Sequence, residues 1–287
     1  MVRNLFIIAS IFLAIVYVES GAQATRHNGN LPVVTVGFVI DGPWSNNDEI
    51  ASIFQKEILD ITIGEYDIRF PEDKSIVADW TVDGIESAFE QMLNDNEVDI
   101  VLTLGVIASH QAVKRDRLPK PVFAPFIVDA HMQNVPSKDG TSGIKNLNYL
   151  TAISNIANDL EIFLEIVPFE NIVFLINKPF WESLHECKSE MHGAEHLGLT
   201  FTQIPVSESA EEALKAIPEN TEAVYLGVLP LLGQSEYEKL IAGLIKKRLP
   251  NFALTGIMDV ERGAMAGVMT RQLFIRRARR IALNIQR

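Results

Sequence analysis

Three aspartates, Asp41, Asp129 and Asp259, each follow a short apolar run that ends in a bend. Carboxylates so placed can work as general acids or bases, can fix a ligand's amine or hydroxyl groups, or can serve as turn and capping residues. Residue order leaves these three uses open, because acid–base work also needs a shifted pKa. A second set lies within one segment. His185, His192 and His196 recur at i, i+7 and i+11, with Cys187 and Glu195 close in sequence. A pair of histidines at i, i+4 on a helix can chelate a divalent cation. Cys187 points elsewhere on the wheel and no fourth ligand is near, so the set reads as a polar surface stripe and no metal is expected. The chain has no Gly-x-Ser-x-Gly elbow, no phosphate-binding loop and no His-Glu-x-x-His. The turn after Ile40 has one glycine, Gly42, followed by Pro43, which is not a dinucleotide fingerprint. These absences point away from an enzyme and from a cofactor.

The bends themselves carry more. They read Asp41-Gly42-Pro43-Trp44, Gly105-Val106-Ile107-Ala108, Val128-Asp129-Ala130, Asn177-Lys178-Pro179-Phe180-Trp181, Gly227-Val228-Leu229-Pro230-Leu231 and Met258-Asp259. In open α/β sheets, ligands bind outside the carboxyl ends of the strands, near helix starts. The candidate ligand contacts are therefore Asp41, Gly42, Trp44, Ser45, Gly105, Val106, Asp129, Asn177, Trp181, Gly227, Leu229 and Asp259. Trp44 and Trp181 are either aromatic walls of one cleft or core packing beside a helix start. Ser45 and Asp48 have capping-box spacing for the helix that follows. A cleft built from these loops is mostly apolar with a few polar groups, the usual character of a small-molecule site.

Alternating strands and helices must position these bends. Val33–Ile40 (VVTVGFVI) is an apolar, β-branched run of the kind buried on both faces of a parallel sheet. Helical spacing follows over Asp48–Leu59. Further strands are expected at Tyr66–Phe70, Asp99–Leu104 and Pro121–Val128, with helices at Val82–Leu93 and Val106–Arg117. After a loop at Pro136–Gly143 the rhythm restarts. Helices are expected at Leu150–Val167, Trp181–Leu197, Ala210–Ala216 and Glu236–Arg248. Strands are expected at Asn171–Ile176, Leu199–Val206, Ala223–Val228 and Phe252–Met258. This is α/β architecture in two lobes, each a parallel sheet flanked by helices. The last segment, Arg271–Arg287, is an amphipathic helix whose other face carries Arg276, Arg277, Arg279, Arg280 and Arg287, read as solvated.

Composition sets outer bounds. The chain has 287 residues, a formal charge of −12 and 22% charged residues. An acidic balance argues against nucleic acid as a partner, since phosphate backbones need clustered Lys and Arg. Residues 1–24 read as a cleavable signal peptide. Arg3 precedes an apolar run of about fourteen residues, too short for a comfortable span, and Ala22-Gln23-Ala24 ends it. With one cysteine, Cys187, no internal disulfide can form. An exported protein of the periplasm fits these features. The chain stops at Arg287 without a helix stop signal, so a continuation beyond it is expected.

The order and spacing of several segments resemble the ABC-transporter substrate-binding proteins of type I periplasmic-binding fold, the group with tryptophan- and tyrosine-type receptors. They are VTVGFVIDG, DIVLTLG, NIVFLINKPFWES, EAVYLGVLP, FALTGIMDVERGAMAGV and RRARRIALNIQR. The resemblance implies a lobe of residues 31–143 plus 258–287, a second lobe of residues 144–257, and closure about a hinge on a small organic ligand. It also implies an ABC permease as partner, an amino acid as one ligand class, and a monomer. One departure stands out. Where amino-acid receptors of the family place small hydroxyl, acid or amide side chains, this chain has Val106-Ile107-Ala108 and Leu229-Pro230-Leu231-Leu232. A sensor or adaptor that acts on a membrane partner without import is the alternative reading.

Overall fold

The computed structural model describes residues 31–131, 133–151, 156–183 and 195–287. The expected signal peptide lies outside the described residues, as do His185, Cys187 and His192 of the histidine set. Among the described residues no helix is long and apolar enough to cross a membrane. Nor is any group of three or more His, Cys, Asp or Glu placed to hold a metal.

The first sheet forms from β1 (Val33–Ile40), β2 (Asp67–Arg69), β3 (Ser75–Val77), β4 (Ile100–Leu104), β5 (Val122–Ile127) and β6 (Leu147–Thr151). Its order is β2-β1-β4-β5-β6, and every pairing is parallel. β1 is shared on its outer side. β2 pairs with Val33–Thr35 and β3 with Phe38–Ile40, with Pro71 and a single 3-10 turn between them. The register Ile40↔Leu104 makes Asp41 and Gly105 leave the sheet side by side.

Helices α1 (Asn47–Thr62) and α9 (Arg271–Gln286) cover one face of this sheet, and α2 (Val82–Asn94) and α3 (Val106–Val113) the other. Phe54, Ile58, Ala278 and Ile281 are fully buried between α1, α9 and β1. Thr81 caps α2 by accepting from the Gly84 N–H at 2.9 Å. Thr270 caps α9 through the Leu273 N–H at 3.2 Å. The arginine face of α9 is only partly solvated. Arg279 pairs with Glu57 of α1 at 2.7 Å. Arg277 is buried, donates to the Pro125 carbonyl at 3.0 Å and sits over the Phe126 ring. Loss of solvent lowers its pKa to about 10.

The second sheet is also parallel, in the order β10-β9-β7-β8, from β7 (Asn171–Asn177), β8 (Thr200–Val206), β9 (Ala223–Leu226) and β10 (Asn251–Ala253). α4 (Ile156–Ile166) packs Leu160 and Phe163 against Phe174, Tyr225 and Phe252. The buried Tyr225 hydroxyl donates to Asp159 of α4 at 2.6 Å. α6 (Ala210–Ala216) and α7 (Gln234–Lys246) cover the other face. α3 touches α5 (Lys178–Ser183), so apolar packing runs from one sheet's helices to the other's.

Several element boundaries differ from the sequence expectation. Leu150 and Thr151 belong to edge strand β6, not to a helix, because Leu147–Thr151 pairs with β5. The helix described beyond them begins at Ile156. The strand expected over Phe252–Met258 ends at Ala253. Gly256 takes φ +58° and turns the chain into α8 (Ile257–Val260). A Cβ at Gly256 would strike the Met269 backbone, so glycine is required there for space as well as for φ. Strand β3 has no counterpart in the expected elements.

Candidate functional site

The carboxyl ends of the two sheets face one cleft, open to solvent. The first sheet contributes Asp41 after β1, Trp80 after β3, Gly105 to Ile107 after β4, and Phe126 and Val128 at β5. Trp44 and Asn47 come from the start of α1 and Phe274 from α9. The second sheet contributes Phe174, Ile176 and Asn177 of β7, Phe180 of α5, and Gly227, Val228 and Pro230 after β9. Leu254, Thr255 and Met258 follow β10. Six aromatic rings and one carboxylate stand among these residues, and no Lys, Arg or His does.

Asp41 is only 4% exposed. Its two oxygens accept from the N–H groups of Ile107 at 2.9 Å and Ala108 at 2.7 Å. These are free donors of the first turn of α3, so Asp41 caps a helix that starts in another strand's loop. Burial pushes its carboxyl up to about 6, against the opposing pull of the Ala108, Ile107 and Val106 N–H groups. Gly105 makes this contact possible. It is extended, and a Cβ there would overlap the Asp41 carboxylate. Gly42 plays the same part for Trp80, whose ring fills the place of a Cβ. Gly227 leaves room for the Phe174 ring, 3.0 Å from where its Cβ would stand.

The remaining polar groups of the cleft divide in two. The Asn47 amide donates to the Gly42 carbonyl at 2.9 Å, Trp80 Nε1 donates to the Pro43 carbonyl at 3.3 Å, and the Thr255 hydroxyl donates to Asp259. Asn177 differs. It is 4% exposed, and its Oδ1 is buried with no hydrogen-bond partner. A buried, unpartnered amide oxygen is costly unless something else supplies a donor.

Of the expected contacts, Asp41, Trp44, Gly105, Val106, Asn177 and Gly227 line the cleft. Gly42 lies beneath Trp80. Ser45 is exposed and donates to Asn46 at 3.2 Å. It does not cap α1, whose N-cap is Asn46 without a side-chain bond. Asp129 accepts from the His131 N–H at 2.9 Å in a local turn outside the cleft. Trp181 donates to Gln203 at 3.1 Å, away from the cleft wall. Leu229 turns into the core beneath α7, while its neighbours Val228 and Pro230 line the cleft. Asp259, expected at a strand end, sits in α8 bonded to Thr255 and to Arg262 at 3.2 Å. Trp80, Asn47, Phe126, Phe174, Phe180, Thr255, Met258 and Phe274 were not among the expected contacts. Phe180 and Met258 stood inside quoted loops, and they were the two with a signal in the residue order.

Solved structures share this architecture along nearly the whole chain. A conserved domain protein from Vibrio cholerae O1 biovar El Tor is 18% identical with a TM-score of 0.64, over 90% of this chain and 86% of that one. An ABC domain in complex with L-Trp from Streptococcus pneumoniae is 16% identical with a TM-score of 0.64, over 90% and 85%. A ligand-free, open substrate-binding protein with adhesive properties from Clostridium difficile is 14% identical with a TM-score of 0.53, over 89% and 85%. No family model matches the sequence, and no curated protein matches it. The fold is the two-lobed type I periplasmic-binding fold, as the resemblance implied.

Proposed function

We propose that the protein is a solute-binding protein that captures a small organic molecule between its lobes for an ABC permease. The observation that carries this reading is the apolar cleft walled from both sides by the carboxyl ends of two parallel sheets. Such clefts are the usual ligand position in open α/β folds. The similar fold of a Streptococcus pneumoniae protein in complex with L-Trp supports it. Among the described lining residues the one carboxylate, Asp41, is held by helix N–H groups, and no nucleophile–base pair stands beside it.

We read the lobes as residues 31–151 with the α9 segment, and 156–257, so that the chain passes between them after β6 and again before α9. Ligand would favour the closed arrangement by its extra contacts there. The apolar N-terminal run ahead of Ala22-Gln23-Ala24 supports export to the periplasm. Small-angle scattering at ligand saturation tests the reading. The radius of gyration should fall, and an unchanged value with bound ligand would sink the closure mechanism. Trp44→Ala should weaken binding more than it lowers thermal stability. Loss of stability with unchanged affinity would place Trp44 in the core instead.

A further inference from the structure

We infer that the cleft takes an aromatic molecule that lacks a carboxylate and donates one hydrogen bond to Asn177, so that free amino acids are excluded. The inference rests on the ligand-site reading above and concerns the ligand's charge.

A ligand carboxylate needs either a cation or free backbone N–H groups at a helix start. Among the described residues the cleft walls supply no Lys, Arg or His. Two long helices start at the cleft: α1 carries Asp48 and Glu49 in its first turn, and at α3 the chain's own carboxylate already fills the N–H groups. Asp41 takes the N–H groups of Ile107 and Ala108 at 2.9 and 2.7 Å, in the space that Gly105 leaves open. A second carboxylate would find no donors there and would face a buried like charge. The intramolecular acid thus occupies the donors that a ligand carboxylate would need at α3.

The rest of the surface favours a ring. Trp44, Trp80, Phe126, Phe174, Phe180 and Phe274 offer π-faces and edges for stacking. Asn47, Trp80 and Thr255 are bonded within the chain, whereas Asn177 Oδ1 has no partner. An N–H or O–H on the ligand would satisfy it. That donor selects for the ligand because a ligand without it leaves the buried oxygen unpaired.

Four indoles that differ in side-chain charge test this by isothermal titration: indole, tryptamine, L-tryptophan and indole-3-acetate. Indole and tryptamine should bind, with L-tryptophan and indole-3-acetate at least about tenfold weaker. N-methylindole, which lacks the donor, should bind about tenfold more weakly than indole, and Asn177→Leu should erase that difference. L-tryptophan or indole-3-acetate binding as tightly as indole would overturn the exclusion of carboxylates while leaving the cleft a ligand site. A methyl effect that persists in Asn177→Leu would overturn the role of Asn177. Absence of binding by all of them would sink the reading of the cleft as an aromatic-ligand site, and this inference with it.

Discussion

On the first lip of the cleft, Asp41, Asn47 and Trp80 each bond to the chain's own backbone. On the second lip, Asn177 presents a buried amide oxygen with no partner. Both lips come from the same kind of place, the loop after a parallel strand. The difference lies in what the neighbouring loop offers. Beside β1 it offers the start of α3, whose N–H groups need an acceptor, and Asp41 provides one. Beside β7 it offers Gly227, whose N–H already bonds to the Leu175 carbonyl at 2.9 Å. A strand-end polar residue is therefore free for a ligand only when the adjacent loop makes no demand on it.

Variants can break or sharpen this contrast. The largest effect is expected for Asp41→Ala, which leaves two buried N–H donors unpaired. A loss of about 4 kcal/mol in urea unfolding at neutral pH is expected, at about 2 kcal/mol per donor. A loss under about 1 kcal/mol would show that cleft water replaces the carboxylate and that the first lip is not fixed.

The next effect is one of pH. The folded pKa of Asp41, about 6, exceeds the ordinary value of 3.8. Its favourable contribution is thus complete below about pH 4 and is lost as pH rises through 6. Wild type should gain on Asp41→Asn by up to about 3 kcal/mol between pH 7 and pH 4. His110, pushed down to about 4 by burial, works in the opposite sense across the same window. It is common to both chains, so the difference between them isolates Asp41. A flat difference would mean that the helix N–H groups outweigh burial.

Gly105→Ala comes third. The added Cβ must push the Asp41 carboxylate off α3, at a cost of about 2 kcal/mol. Its penalty should shrink sharply in an Asp41→Ala background, and additive losses would refute the coupling. The smallest effect on stability belongs to the second lip. Asn177→Leu removes an unpaired amide, so thermal unfolding should move by less than about 1 kcal/mol in either direction. A loss of 3 kcal/mol would show that Asn177 has a structural partner and that the two lips are alike.

Much of the fold was legible because its strands declare themselves locally. Val33–Ile40 is a continuous apolar, β-branched run, and its bounds match β1. Ala210–Ala216 likewise matches α6. β3 and β6 were not legible, since each is a short strand stabilised by pairing with a distant neighbour. The site was legible in outline and misread in detail for the same reason. Asp41 is a strand-end acid, but its use is decided by α3. Trp80 has no local pattern, and its seat exists because Gly42 lacks a side chain. Leu229 shows the limit of a loop read as a unit. Its neighbours Val228 and Pro230 face the cleft while Leu229 turns to the core, as successive residues of extended chain do.

The divided outer side of β1 has a consequence for how this molecule behaves in company. A long, open sheet edge is a template on which a stray chain can add a strand and seed aggregation. Here that edge is Asp67–Arg69 and Ser75–Val77, two pieces of three residues with Pro71 between them. An incoming strand finds no unbroken row of donors and acceptors longer than three residues. The interruption guards this edge of the first sheet against strand addition without placing a charge in the core.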